Sequence, residues 1–259
     1  MILVWRIAMH RTKVCVSIGA VFGLVLGSTL LRPTPVQGQD RPAPSDSASQ
    51  VLDQMVNIYR TCKTYRDTGV VRTVYLQGGS QRTQERPFST AFARPDSFRF
   101  QFTDTSPNGE KNIYIVWQQG SDVRTWWNIS DPNEKRSSSL DLAIAGATGV
   151  SGRSAHTVPI LLLPQVIKGR SLKDLTEPKR LEDAPCGGGM CARIEGVFSG
   201  DEHTLWIDLG TFLLRRIDSG HTFPAFQTTE TTSYEPVINE AIGPDLLAFG
   251  PPQQRRGAK

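Results

Sequence analysis

The residues that could do catalytic chemistry are few, and their spacing matches no active-site motif. Ser154 and His156 are the best serine–histidine candidates, but they lie two residues apart without the glycine-flanked elbow that presents a nucleophilic serine. His156, His203 and His221 are far apart in sequence and lack the short ligand spacing of zinc sites. We therefore predict no catalytic residue, no metal and no cofactor, and do not expect an enzyme.

Two cysteines are placed to form a covalent link. Cys186 and Cys191 bracket a short glycine-rich loop between two predicted strands, where paired residues come within disulfide range. An oxidising compartment favours a disulfide, with free thiols or a metal site as the alternatives. Cys62 is left without a partner cysteine and is expected to be a buried apolar residue on a helix.

Arg94 is the charged side chain with the most specific position. The proline that follows it favours an extended backbone, so residues 94–97 are predicted to connect two strands of a hairpin. Its guanidinium group carries five donors, which suits it to binding the unpaired carbonyls at the ends of short helices. The alternative is a solvated hairpin residue.

An aromatic stripe follows this turn. Phe98, Phe100 and Phe102 alternate with polar residues, which places all three rings on one face of a strand. That face requires a large apolar partner. The tryptophans could either belong to the core of the sheet or line an apolar cavity: Trp117, Trp126, Trp127 and Trp206.

The first 38 residues have the pattern of an export signal. A basic start precedes an apolar run over residues 14–31, and small residues before Gln39 suit signal peptidase. A retained membrane anchor is the alternative, because the run is about 18 residues long. We expect an exported, periplasmic protein with a signal peptide at 1–38, a disordered linker at 39–46, one domain at 47–252 and a disordered tail at 253–259.

Charge gives no support to nucleic-acid binding. The whole chain has 29 basic and 25 acidic residues, but four of the basic ones lie in the export signal. The remaining chain is balanced, so the high isoelectric point belongs largely to the precursor.

The periodicity of the domain predicts mainly β structure with some helix. Ser47 and Gln50 match a capping box for one amphipathic helix, which residues 67–69 are expected to end. The pattern then changes to period two. Ten strands are predicted at residues 70–76, 84–93, 98–102, 112–117, 123–129, 181–184, 192–197, 204–207, 213–218 and 226–234.

The strand pattern breaks between the two halves. Residues 140–147 and 155–163 are short apolar segments separated by glycine-rich sequence, and they include Leu142 and Leu161. They are expected to form a helical lid over the sheet; ordinary core packing by a helical insertion is the alternative.

The order of these features resembles the LolA and LolB type of periplasmic lipoprotein carriers. It is most similar to a group of exported LolA-like proteins with a domain of unknown function, DUF2092. The matching residues are Arg94-Pro95-x-x-Phe98-x-Phe100, Ile115-Val116-Trp117, Trp126-Trp127, Thr204-Leu205-Trp206-Ile207-Asp208, Leu214-x-Arg216-Ile217 and Phe249-x-Pro251-Pro252.

The resemblance implies an unclosed antiparallel half-barrel whose concave apolar side holds acyl chains beneath short helices. It also implies that Arg94 contacts the lid and holds it closed. The glycine-rich lid and the cysteine loop depart from the true carriers. The ligand-binding residues predicted on this basis are Arg94, Phe98, Phe100, Phe102, Trp117, Trp126, Leu142 and Leu161.

The function predicted from these features is a monomeric carrier-like protein for lipids or for the acyl chains of lipoproteins. The rival hypothesis is an envelope stress sensor or scaffold that uses the same fold to contact an envelope protein. The size of the cavity separates the two, since a filled half-barrel cannot carry lipid.

Overall fold

The computed structural model describes residues 46–106 and 108–250. The predicted signal peptide (1–38), all but the last residue of the linker (39–46) and the tail (253–259) lie outside the described residues. The domain boundaries therefore stay predictions.

The first described element is helix α1, Ala48–Thr61. Its capping box is confirmed: Gln50 N donates to Ser47 Oγ at 3.2 Å, and Ser47 N donates to Gln50 Oε1 at 2.7 Å. Val51, Met55 and Tyr59 are fully buried on one face, as a helical period of 3.6 predicts.

The predicted end of this helix at residues 67–69 is wrong. The helix ends at Thr61, and strand β1 begins at Thr64, so Asp67 and Gly69 lie inside the strand. Asp67 was interpreted as a turn residue, but its carboxylate is buried and accepts hydrogen bonds within the sheet. Tertiary pairing has overridden a local turn signal here.

The strands form one open, antiparallel sheet, so the predicted fold class is confirmed. Their order is β6-β5-β4-β3-β2-β1-β11-β10-β9-β8-β7, and β12 pairs with β1 beside this path. The bounds are β1 Thr64–Gln77, β2 Ser80–Ala93, β3 Ser97–Thr105, β4 Lys111–Gln119, β5 Asp122–Trp127, β6 Glu134–Arg136, β7 Thr176–Cys186, β8 Gly189–Phe198, β9 Asp201–Asp208, β10 Leu214–Thr222, β11 Gln227–Tyr234 and β12 Val237–Ile238. The ten predicted strands are present, and β6 and β12 are too short to give a period-two signal.

Three short helices lie between the two halves of the sheet. They are α2, Leu140–Thr148; α3, Ser154–Thr157; and α4, Pro159–Leu162. Pro159 splits the second predicted segment because it suits the first position of a helix and cannot donate to the turn before it. Together these helices, residues 140–162, are called the lid below.

The lid and α1 cover the same face of the sheet. Their inward residues form one buried cluster with Phe88, Phe92, Phe98, Phe100 and Phe102. We call this the inner face. On the opposite, outer face, a last short helix, α5 (Pro244–Leu247), packs near β2 and β3.

Gly69 is required by the close approach of an aromatic ring. A Cβ at this position would lie 2.3 Å from Phe88 Cζ and 2.3 Å from the Ser233 carbonyl oxygen. The backbone oxygen cannot move without breaking the pairing of β1 with β11.

Replacing Gly69 with alanine is therefore expected to lower the free energy of unfolding by about 2 kcal/mol, as overpacked cores do. Urea unfolding measures the change. Gly243→Ala is the matched control, because nothing lies within 4 Å of its added methyl group and its φ of −60° suits alanine. Equal stability of the two variants would contradict the close approach.

The disulfide between Cys186 and Cys191 is present, with a Cα–Cα distance of 5.8 Å. It closes the hairpin that joins β7 to β8 at the edge of the sheet. Cys62 is the free cysteine of the described chain and is buried. Burial raises the pKa of its thiol, and its Sγ donates to the Tyr59 carbonyl at 3.2 Å.

Candidate functional site

Arg94 joins the lid to helix α1. Its Nε donates to the Cys62 carbonyl at 2.8 Å, and its Nη2 donates to the Leu162 carbonyl at 3.0 Å. Nη2 also reaches the carbonyls of Arg60 and, at 3.5 Å, Tyr59. One side chain thus binds the end of α1 and the end of α4 together.

The local sequence fixes this position. Arg94 directly follows β2, and its backbone N–H donates to the Lys63 carbonyl at 3.0 Å, so the side chain starts from an anchored backbone. Its guanidinium lies 5.1 Å from the centre of the Phe92 ring. The carbonyls that it binds at α1 lie at the helix C-terminus, where a cation is favoured by the helix dipole.

The predicted aromatic stripe lies on the inner face. Phe98, Phe100 and Phe102 are 1%, 0% and 2% exposed. Their rings continue a chain of contacts from Phe102 to Phe100 at 6.3 Å and on to Phe88 at 6.2 Å. Leu161 of α4, 2% exposed, belongs to the same cluster. Arg94, the three phenylalanines and Leu161 are therefore brought together, with the lid closed over them.

The structure does not bring the other three predicted ligand-binding residues to this place. Trp117 and Trp126 lie on the outer face, since Trp117 pairs with Arg99 and Trp126 pairs with Ile115 across the sheet. Trp117 Nε1 donates to the Leu247 carbonyl at 2.6 Å. Strand β4 is apolar on both faces, so its sequence could not tell which face was inner.

Leu142 also lies away from this place. It is 60% exposed on the outward side of α2, while Leu140, Ala143 and Ile144 point inward. A nine-residue helix of mostly apolar residues has no polar stripe to mark its exposed side.

The remaining tryptophans pack within the sheet. Trp127 lies 5.2 Å from the Tyr114 ring. Trp206 is flanked by the guanidinium groups of Arg193 and Arg216, at 4.9 and 5.0 Å from its ring centre. Its Nε1 donates to Asp218 at 2.8 Å. These contacts favour packing roles over the lining of a cavity beneath the lid.

A cavity of about 610 Å³ lies between the lid and strands β9 to β11. Its lining includes Gly152 and Thr157 from the lid and Ile217, Ser219, His221 and Glu230 from the strands. A second cavity of about 300 Å³ adjoins it and shares Thr148, Arg153, Thr157, Leu172, Phe198 and Ser199 with it. We call the two together the lid groove.

Sequence reasoning missed the lid groove. The inner face of β9 to β11 mixes Ile217 with Ser219 and His221, so it gives no aromatic or aliphatic stripe of the kind that marked β3. The alternation of β10 alone could have placed these residues on one face. A third cavity, of about 760 Å³, is lined by Val70, Trp206 and neighbours but by no residue of the lid.

The two histidines that line the larger cavity, His203 and His221, are held by a single acidic residue. The Nδ1 atoms of His203 and His221 contact the backbone carbonyl and the carboxylate of Asp201, respectively. Within residues 46–106 and 108–250, no group of three or more His, Cys, Asp or Glu residues could hold a metal ion.

Ser154 and His156 make separate contacts. Ser154 Oγ donates to the Ser151 carbonyl at 2.9 Å, and His156 Nε2 lies 2.9 Å from the Lys168 carbonyl. The Ser154 bond lies within the lid, and the His156 contact joins the lid to the segment that follows it. These contacts do not join the Ser154 hydroxyl to the His156 ring.

A buried carboxylate lies on the inner face of β1. Asp67 is 5% exposed; its Oδ2 accepts from Tyr65 Oη at 2.7 Å and its Oδ1 accepts from Thr90 N at 2.8 Å. Burial raises the pKa of Asp67 to about 6, and the hydrogen bonds from Tyr65 and Thr90 oppose that rise. Burial also raises the pKa of Tyr65 and Tyr234 well above the ordinary value.

The fold is an unclosed antiparallel sheet that α1 and the lid cover on its inner face, which is the fold class that the resemblance to LolA-like proteins implies. No family model matches the chain, and no curated protein matches it. Membership of the DUF2092 group therefore stays a prediction.

Several solved structures are similar in fold. The complex of Pseudomonas aeruginosa MucA and MucB matches with a TM-score of 0.41 at 12% identity, covering 78% of this chain and 61% of the matched one. The Mycobacterium tuberculosis lipoprotein LppX matches with a TM-score of 0.39 at 10% identity, covering 76% and 97%. A LolA superfamily protein from Nitrosomonas europaea matches with a TM-score of 0.31 at 9% identity, covering 79% and 98%.

Of the part of the chain that the structure describes, no helix is both long and apolar enough to cross a membrane.

Proposed function

We propose that this protein is an exported, carrier-like protein that binds the acyl chain of a lipid or lipoprotein between the lid and the inner face of the sheet. The observation that carries the proposal is the Arg94 contact. One arginine side chain joins α1 to the lid over an aromatic face, and a groove extends under another part of the same lid.

The groove has the size of a ligand site. Its larger part, about 610 Å³, falls within the range of small-molecule pockets. Burying a 16-carbon acyl chain yields a gross gain of about 12 kcal/mol at about 0.8 kcal/mol per methylene group, before the entropy of association is subtracted. A carrier must release its ligand, so a partly polar groove is compatible with this role.

The aromatic stripe supplies the covered part of the site. Phe98, Phe100, Phe102 and Leu161 become available to a ligand when the Arg94 contacts break and the lid moves. Trp117, Trp126 and Leu142 have no part in this lining, because they face away from it.

With the export signal predicted at residues 1–38, we expect this activity in the periplasm. The partners that fit are lipids, the acyl chains of lipoproteins and an envelope protein that delivers or receives them.

One observation favours the rival, an envelope sensor or scaffold that makes protein contacts without carrying lipid. The phenylalanine face is already filled by α1 and the lid of the protein itself. If the lid never opens, only the groove remains for a ligand.

Titration with a fluorescent fatty acid, followed by competition with dodecanoate, tests the proposal. We expect one saturable, displaceable site. Ser219→Trp, which fills the groove from β10, is expected to weaken binding about tenfold. Thr204→Trp places the same ring on the outer face of β9 and is the matched control.

Wild-type protein that takes up no fatty acid would contradict the carrier and favour the sensor or scaffold. Equal binding by the two tryptophan variants would show that the chain does not enter the groove.

A further inference from the structure

The smaller part of the lid groove, the cavity of about 300 Å³, is lined by basic side chains without acidic ones among the described residues. Arg153 and Arg170 line it together with His156, and no acidic side chain is among its described lining residues. Ile160, Leu172 and Phe198 supply its apolar wall. A cavity with cations at one place and an apolar wall beside it suits a molecule with an anionic head and an apolar chain.

The two arginines are available for a ligand. The described hydrogen bonds and ion pairs give the Arg153 side chain no partner, and the residue is exposed at the cavity. Arg170 has one long contact, from Nη2 to the Asp174 carbonyl at 3.4 Å, and stacks 5.4 Å from the centre of the Phe198 ring. Neither guanidinium is neutralised by a carboxylate within the described chain.

The backbone holds Arg153 in place. Its φ of 64° lies in the left-handed region, which is unfavourable for a residue with a side chain. The preceding Gly152, also at positive φ, packs so closely that an added Cβ would lie 2.8 Å from Val71 Cγ1. Arg153 N donates to the Thr148 carbonyl at 3.0 Å. The turn is thus fixed against the sheet, with the arginine directed by a constrained backbone.

We infer that this cavity binds the anionic head of an amphiphile, a carboxylate or a phosphate, while the chain of the same molecule runs into the larger cavity. The two cavities adjoin, and Leu172 and Phe198 are the apolar residues among the six that line both, so a chain passing from one cavity to the other would contact them. Guanidinium groups bind both kinds of oxyanion through paired hydrogen bonds. This inference rests on the proposed acyl-chain function and adds the charge class of its ligand.

Four probes separate the contributions of head and chain: dodecanoate, dodecyl phosphate, methyl dodecanoate and inorganic phosphate. Each is titrated into the full mature protein and into Arg153→Gln and Arg170→Gln. Arg72→Gln is the control; it removes the same charge from an exposed residue on the outer face of β1.

We expect the wild type to bind both anionic amphiphiles more tightly than the methyl ester. Each groove variant should bind them about tenfold more weakly, with the affinity for methyl dodecanoate unchanged. Arg72→Gln should behave like the wild type. Of the two anionic amphiphiles, the one that loses more affinity in the variants identifies the head group that the site prefers.

Equal affinity for dodecanoate and its methyl ester, unaffected by either groove variant, would overturn this inference and leave the carrier proposal standing. Inorganic phosphate that binds as tightly as dodecyl phosphate would show a free-anion site instead and would also overturn it. Failure of all three chain-bearing probes to bind would overturn both proposals.

Discussion

Replacing Arg94 with leucine is expected to release the lid and to lower the free energy of unfolding by about 3 kcal/mol. The substitution removes donors to carbonyls of Cys62, Arg60 and Leu162 at once. The contacts with the Cys62 and Leu162 carbonyls are partly buried and that with the Arg60 carbonyl is exposed, and all three carbonyls lose a charged partner. Helix α4, which the Leu162 carbonyl terminates, has four residues, so it depends on such a contact.

The largest change is expected at the contact between α4 and α1. Helix α4 has four residues and lacks a side-chain cap at its start. Its Leu162 carbonyl accepts a hydrogen bond from Arg94 Nη2 at 3.0 Å. Arg94 meets the sheet through the Phe92 ring and makes its side-chain hydrogen bonds to α1, Cys62 and α4, so the sheet should stay folded without them.

Hydrogen exchange across residues 140–163, together with urea unfolding, measures both effects. Arg94→Lys keeps the charge but loses the planar fork, and an intermediate result is expected. Arg72→Leu, at an exposed position on the outer face, is the control. Unchanged protection of the lid in Arg94→Leu would show that Arg94 does not hold it closed.

Replacing Asp67 with asparagine is expected to change the pH dependence of stability. Burial raises the pKa of this carboxyl from 3.8 to about 6 in the folded protein. A difference of about two units corresponds to about 3 kcal/mol. Because the folded state binds the proton more tightly than the unfolded state, the protonated carboxyl favours folding.

The sign of the effect follows from that difference. The contribution of Asp67 is fully present below about pH 4 and is lost as the pH rises through about 6. At neutral pH the ionised carboxylate opposes folding by about 3 kcal/mol, a penalty that asparagine does not carry. The variant and the wild type should therefore have similar stability near pH 4, and the variant should be more stable at pH 7.

Urea unfolding of the wild type and Asp67→Asn at several pH values between 4 and 7 tests this prediction. Asp96→Asn, at an exposed residue of the turn between β2 and β3, controls for the loss of one negative charge. Parallel stability curves for wild type and Asp67→Asn would contradict a raised pKa at Asp67.

Much of the fold was readable from local patterns. The capping box at Ser47 and Gln50 fixed the start of α1, and the alternation of Phe98, Phe100 and Phe102 fixed the inner face of β3. Glycine turns located the hairpins. These signals work because each arises from neighbours in the sequence, within one helical turn or one strand repeat.

The incorrect predictions concern residues whose surroundings depend on segments that are distant in the sequence. Asp67 lies in a strand because it pairs with Thr90 of β2, while β12 and β11 pair with β1 just before and just after it on the other side. The outer position of Trp117 depends on its pairing with Arg99 and on the C-terminal segment that covers it. Leu142 faces outward because only one side of α2 meets the sheet.

The site was predicted in part. Arg94 and its proline marked a turn, and the resemblance gave it a contact with the lid, but nothing in the sequence placed it at the end of α1. The lid groove could not be predicted, because its lining comes from the lid and from strands β8 to β11, which meet only in the folded chain.

Native mass spectrometry of the protein purified from a bacterial periplasm, followed by lipid extraction, tests the central claim most directly. The account predicts one acyl-bearing molecule per protein, released on unfolding and reduced in Ser219→Trp. A single ligand-free mass for the wild type, with no acyl species in the extract, would contradict it.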